Sequence, residues 1–188
     1  MPIVGRFGSL AGMGSLILPG GAMESIATVS VGSGGSASVT FSDISASFQH
    51  LQIRGVSKTA GAGDGLWMRL NGDTGSNYAY HLLYGNGASA AAAAGTSQTQ
   101  TVAGNQTYSG TNASTFSGFV LDILDYASTS KNKTMRSLSG YDLNGSGEIR
   151  LSSGLWMSTS AVTSITLRDA GGSNLQQHST FALYGIRS

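Results

Sequence analysis

Cysteine is absent from the 188 residues, which excludes a disulfide framework, a thiolate metal site and a cysteine nucleophile, and leaves no marker of the redox compartment. Charge is also scarce. Asp, Glu, Lys and Arg make up 10% of the chain, against roughly 25% in ordinary soluble domains. The formal net charge is +1, and no run of one sign occurs. Such a surface has neither the basic stripe that nucleic acid requires nor the polybasic cluster that holds an anionic membrane, so neither is expected as a partner. It also has little self-repulsion to keep copies apart, which favours life inside an assembly. No uninterrupted apolar stretch approaches the ~18–20 residues that span a bilayer, and a soluble protein is expected.

Glycine, by contrast, is abundant (28 residues), proline is rare (2), and 40% of the chain is hydrophobic. That apolar content separates it from disordered glycine-rich chains. Its length suits one well-filled domain. Residues 1–22 are apolar but broken by glycine at 5, 8, 12, 14, 20 and 21, with Arg6 as the sole charge. A secretory signal needs an unbroken apolar stretch of about 7–15 residues, which this segment lacks. It is expected instead to be an attachment arm that buries Ile3, Val4, Phe7, Leu10, Leu16, Ile17 and Leu18 against a partner. Each large side chain gains about 1.5–3 kcal/mol on burial, while ordering the backbone costs about 1–2 kcal/mol per residue. The sums are comparable, so docking would draw its strength from preformed grooves and many copies.

From Glu24 onward the apolar residues recur with period two, the mark of half-buried strands. Ala27, Val29 and Val31 share one face; after Gly32-Ser33-Gly34-Gly35, so do Ala37, Val39 and Phe41, which predicts a first hairpin. Further strands are predicted around Leu51 and Ile53, from Leu66 to Leu70, and from Tyr78 to Tyr84. Residues 85–117 include Ala90 to Ala94 and a polar low-complexity stretch. Five alanines are too few to hold a helix unaided, and a long surface loop is expected there, with at most a short helix or an irregular strand within it. Phe119 to Tyr126 is apolar on both faces apart from its aspartates and belongs in the centre of a sheet. Met135 to Tyr141 and Glu148 to Leu151 flank Asn144-Gly145-Ser146-Gly147, a hairpin turn. Leu155 to Met157, Val162 to Leu167 and Phe181 to Ile186 complete the series. About ten strands without a convincing helix indicate an all-β, antiparallel, jelly-roll-like β-sandwich over residues 23–188, preceded by the 1–22 arm.

Candidate chemistry is thin. Asp142 to Gly147 fits the opening of a calcium loop, but the twelfth position is Ser153, where a bidentate Glu is needed, so a polar hairpin tip is expected over weak calcium binding through Asp142 and Glu148. Asn71 to Asn77 has the Asx and Gly residues of a turn. His50, His81 and His178 lie far apart, outside any recognisable catalytic motif. Asp122 and Asp125 fall on opposite faces of one strand, so their carboxyls diverge. No phosphate-cradling glycine loop occurs. The sequence therefore predicts no catalytic, cofactor-binding or metal residues and no enzyme activity. Trp67, Tyr78, Tyr80, Tyr84, Tyr108 and Trp156 suit a sandwich core or subunit contact more than a sugar-binding face, with Tyr108 the one placed for exposure. Four N-x-[ST] strings (Asn105, Asn112, Asn132, Asn144) carry little weight in a chain this rich in Asn, Ser and Thr.

The segments Arg69 to Tyr78 (RLNGDTGSNY), Tyr84 to Gly87 (YGNG), Ser153 to Trp156 (SGLW), Val162 to Leu167 (VTSITL) and Phe181 to Ile186 (FALYGI) resemble a family of virion structural proteins of tailed bacteriophages. Its members open on a strand like Glu24 to Val29 and end on the Leu-Tyr-Gly-Ile strand. The resemblance covers residues 23–188 and carries over no active-site residue. It implies a virion component, most simply a capsid decoration (cement) protein that forms a homotrimer and docks on the major capsid protein or on tail proteins. A tail or tail-fibre component that binds host surface glycan is the alternative it leaves open.

Overall fold

The computed structural model describes residues 21–187. The expected arm residues from Ile3 to Leu18 lie outside the described residues. Twelve strands follow in chain order: β1 (Met23–Ser30), β2 (Val39–Phe41), β3 (His50–Ser57), β4 (Gly65–Leu70), β5 (Tyr78–Gly85) and β6 (Ala90–Gln98). The second half adds β7 (Thr101–Asn105), β8 (Ser117–Leu124), β9 (Lys133–Asp142), β10 (Gly147–Trp156), β11 (Ile165–Asp169) and β12 (Thr180–Ile186). All their pairings are antiparallel. They form an eight-stranded sheet in the order β1-β12-β3-β8-β9-β10-β5-β6 and a four-stranded sheet in the order β2-β11-β4-β7. The expected all-β sandwich is the observed architecture.

The core follows from the period-two pattern. Leu51, Ile53, Leu121, Ile123, Phe181 and Leu183 from the larger sheet, and Leu66, Met68, Leu70, Ile165 and Leu167 from the smaller, are all fully buried. Phe119 and Phe181 pack with ring centroids 5.9 Å apart. Strand β8 is the fourth of eight, in agreement with its two apolar faces. Two buried lysines find carbonyl and hydroxyl oxygens rather than carboxylates. The Lys133 ammonium donates to the carbonyls of Ser128 (2.7 Å), Lys131 (2.8 Å) and Thr159 (3.2 Å). That of Lys58 donates to the Thr111 hydroxyl (2.6 Å) and the Asn112 carbonyl (2.8 Å). Burial draws both below the usual lysine range, and each pins a loop to the sandwich.

Two expectations are corrected. The runs 27–31 and 37–41 do not form a hairpin: β1 pairs with β12 in the larger sheet, and β2 with β11 in the smaller. Each run has one apolar face, and placing them in opposite sheets points both faces into the same core. Nor is 85–117 a long loop. Ala90–Gln98 is a nine-residue strand against β5, and Thr101–Asn105 is a strand buried at every position. The β5 ladder supplies the hydrogen bonds that the alanines' weak strand propensity does not, a case of context overriding intrinsic preference. Smaller differences concern ends: β10 is one strand where two were expected, β11 begins only at Ile165, and Tyr126 lies beyond β8 in a buried turn.

Candidate interaction surface

With eight strands against four, part of the larger sheet has no covering layer. Strand β7 packs across β8, β9 and β10 and reaches the margin of β5. Strand β6 lies beyond it, and Ala90 to Ala94 are exposed throughout, although alternate residues point to opposite faces.

The outer face of the larger sheet carries an apolar row set by register alone. Ala92 lies opposite Leu83, Leu83 opposite Leu151, Leu151 opposite Leu138, and Leu138 opposite Val120. These five strands span about 19 Å at ~4.8 Å per interval. Leu83 and Leu151 are each 54% exposed, Leu138 48%, and Ile149, one row further along β10, 61%. Ile149 stands between Gly85 and Gly140, with Gly118 next to Gly140; a side chain added at Gly118 would meet only open space. The result is a projecting isoleucine flanked by a shallow glycine-floored depression. Scattered apolar residues are normal on a protein surface, whereas these leucines are contiguous, Leu83, Leu151 and Leu138 each lying opposite the next.

On one side the apolar row gives way to polar residues. Gln52, Asp122 and Arg136 lie opposite one another in the next row. The Gln52 amide donates to Asp122 at 2.7 Å, and the Arg136 guanidinium donates to the other carboxylate oxygen at 3.0 Å. Asp122 thus finds its polar partners within its own sheet, on a central strand, and its strand neighbours Val120 and Leu124 are half-buried. Asp125 lies in the turn after β8, held by Lys131 at 2.6 Å and by Gln49. Lys131 and then Gln49 hold its carboxyl below the usual range. The two aspartates belong to separate hydrogen-bonded groups.

The other sequence candidates are also dispersed. The Nδ1 of His50 accepts from the Asp125 amide at 3.0 Å, His81 lies exposed on the outer face, and His178 occupies an exposed turn with φ 74°. Asp142 accepts from the Asn144 amide at 2.7 Å, an Asx turn at the β9–β10 tip. Glu148 accepts from Arg150 at 2.8 Å and from Asn105 at 3.3 Å. Arg150 also reaches Asp64 at 3.1 Å, so one guanidinium bridges both carboxylates. Beside them, burial first, then Asp64 and Glu148, push the Tyr141 hydroxyl up to about 12. Among the described residues no group of three or more His, Asp or Glu is arranged to hold a metal ion. Tyr108, expected to be exposed, is half-buried edge-on against Tyr141 at 6.4 Å. Tyr78 and Trp156 are buried and stacked, and Trp67 meets Tyr80 edge to face at 5.4 Å. Of the four N-x-[ST] asparagines, Asn105 is fully buried, while Asn112, Asn132 and Asn144 are exposed.

The apolar row escaped the sequence reading. A pattern of alternation tells which residues share a face within one strand, but not which strands lie side by side. The one local signal was the presence of apolar residues at both parities, as in Leu82-Leu83 and in β8. No family model matches the chain, and neither does any curated protein or solved structure.

Proposed function

We propose that the chain is a structural component of a tailed-phage virion, most simply a capsid decoration protein, which docks through residues 1–22 and packs against neighbouring subunits through the outer face of its larger sheet. The observation that carries the assembly part is the row of Leu83, Leu151 and Leu138, each about half exposed and directly opposite the next. A chain with so few charges has little to hold such a face in water as a free monomer. The phage part rests on the sequence resemblance, and so does the preference for a homotrimer. In this reading the partners are other virion proteins, and many weak contacts sum to firm attachment.

The test uses particles stripped of this component. Full-length protein should rebind, and protein lacking residues 2–21 should fold but fail to rebind. Leu151→Glu should fold and bind more weakly, because it places a charge in the apolar row. A decoration protein should be present in copy numbers on the order of hundreds per head, as lattice symmetry requires. Antibody labelling confined to a tail or fibre tip would instead favour the glycan-binding alternative. Equal rebinding by full-length and truncated protein, with residues 1–22 still protease-sensitive on intact particles, would refute arm docking.

A further inference from the structure

We infer that β6 is a homotypic contact site, where a second copy of the chain adds its own β6 edge to edge, antiparallel, about a twofold axis near Ala92. One side of β6 is hydrogen-bonded to β5; among the described residues its other side has no neighbouring strand. It therefore offers for pairing the outward-pointing half of the backbone donors and acceptors of a nine-residue strand.

Exposed edges are normally blocked by a charge, a proline, a bulge or short length. The opposite edge has such protection: β1 carries Glu24, paired with Arg187 at 2.7 Å, and a register shift between Ser25 and Ala27. In β6 the register runs regularly from Ala90 opposite Gly85 to Gly95 opposite Tyr80. The irregularity comes only afterwards, where Ser97 has φ 52°. No Asp, Glu, Lys, Arg, His or Pro occurs anywhere from residue 85 to 117.

The occupant follows from self-complementarity. An antiparallel strand pair maps onto itself under a twofold rotation, so any edge strand fits a copy of itself, provided that like residues placed opposite do not clash or repel. Here the opposed side chains are methyl groups, without charge and too short to shield the backbone. Ala91 and Ala93 lie exposed on the side where the smaller sheet does not reach, and Ala90, Ala92 and Ala94 lie exposed on the other, so neither face hinders approach. This contact meets the outer apolar row only at Ala92 and does not depend on the virion reading.

The test is sedimentation over a wide concentration range, combined with hydrogen exchange. Wild type should dimerise reversibly, and the amides of residues 90–95 should gain protection as concentration rises. The double variants Ala91→Lys with Ala93→Lys, and Ala91→Glu with Ala93→Glu, should each fold and associate at least tenfold more weakly. With the axis near Ala92, residue 91 faces residue 93 of the other copy, so an equimolar mixture of the two variants should associate again. Deleting residues 2–20 should leave the dimer intact. A wild-type monomer at every concentration, a dimer whose β6 amides exchange freely, mixing without rescue, or loss of the dimer on that deletion would each overturn the proposal. The exchange measurement on wild type decides the matter even if a variant fails to fold.

Discussion

Replacing Asp73 with alanine should destabilise the sandwich more than its place in a surface turn suggests. Its carboxylate accepts the indole N–H of Trp156 at 2.7 Å, the Asn77 amide at 2.9 Å and the Gly75 backbone N–H at 2.7 Å. Asn77 and Gly75 are exposed, and water replaces the carboxylate for them at little cost. Trp156 is only 3% exposed at the end of β10 and is stacked on Tyr78, so its N–H would be left without a partner. An unsatisfied buried donor costs about 1–3 kcal/mol, and a bond to a charged group is worth about 1.5–3 kcal/mol. Together these place the loss at about 2–3 kcal/mol. At about 2–4 °C per kcal/mol for a chain of this size, Tm should fall by about 4–12 °C, while Asn77→Ala should stay within about 0.5 kcal/mol of wild type. In a Trp156→Phe background, which keeps the ring and removes the N–H, Asp73→Ala should cost much less. The pH dependence has a definite sign. Trp156 first, then Asn77, hold the Asp73 carboxyl below its ordinary 3.8, so its contribution is present above that pH and lost as pH falls through the folded-state value. The deficit of Asp73→Ala should therefore shrink in acid. Thermal and denaturant melts of the four proteins in the cycle and of Asn77→Ala, repeated in acid, measure all of this. Equal cost of Asp73→Ala with and without the Trp156 N–H would refute the argument.

Gly55→Ala should cost about 1–3 kcal/mol by overpacking, because its Cβ would stand 2.5 Å from the Thr180 carbonyl and 2.8 Å from the Phe119 ring. Gly118→Ala, which meets open space, should be neutral within about 0.5 kcal/mol, and equal melts for the two variants would contradict the packing. Burial pushes the hydroxyls of Tyr78 and Tyr141 up to about 12. Their contribution to stability is fully present below the ordinary value of 10.0 and lost as pH rises through about 12. Absorbance titration should resolve a late-ionising group of tyrosines; all seven ionising together near pH 10 would count against it.

Much of the sandwich was legible in the chain because alternation is a local property. Leu66, Met68 and Leu70 face one way whatever lies beside them, and the Asn144-Gly145 turn, with φ 59° and 123°, needs only its own residues to form. Partner choice is not local. Nothing within Met23–Ser30 or Val39–Phe41 says that they belong to opposite sheets, and Ala90–Gln98 becomes a strand only because β5 offers it a ladder. The outer row is of the same kind: Leu83, Leu138 and Leu151 are separated in sequence by 55 and 13 residues, and only the register of three strands brings them abreast. Composition and alternation determined that this chain would be a sparsely charged, cysteine-free β protein, whereas the strand order and register of the larger sheet decided which apolar residues line up exposed on its outer face.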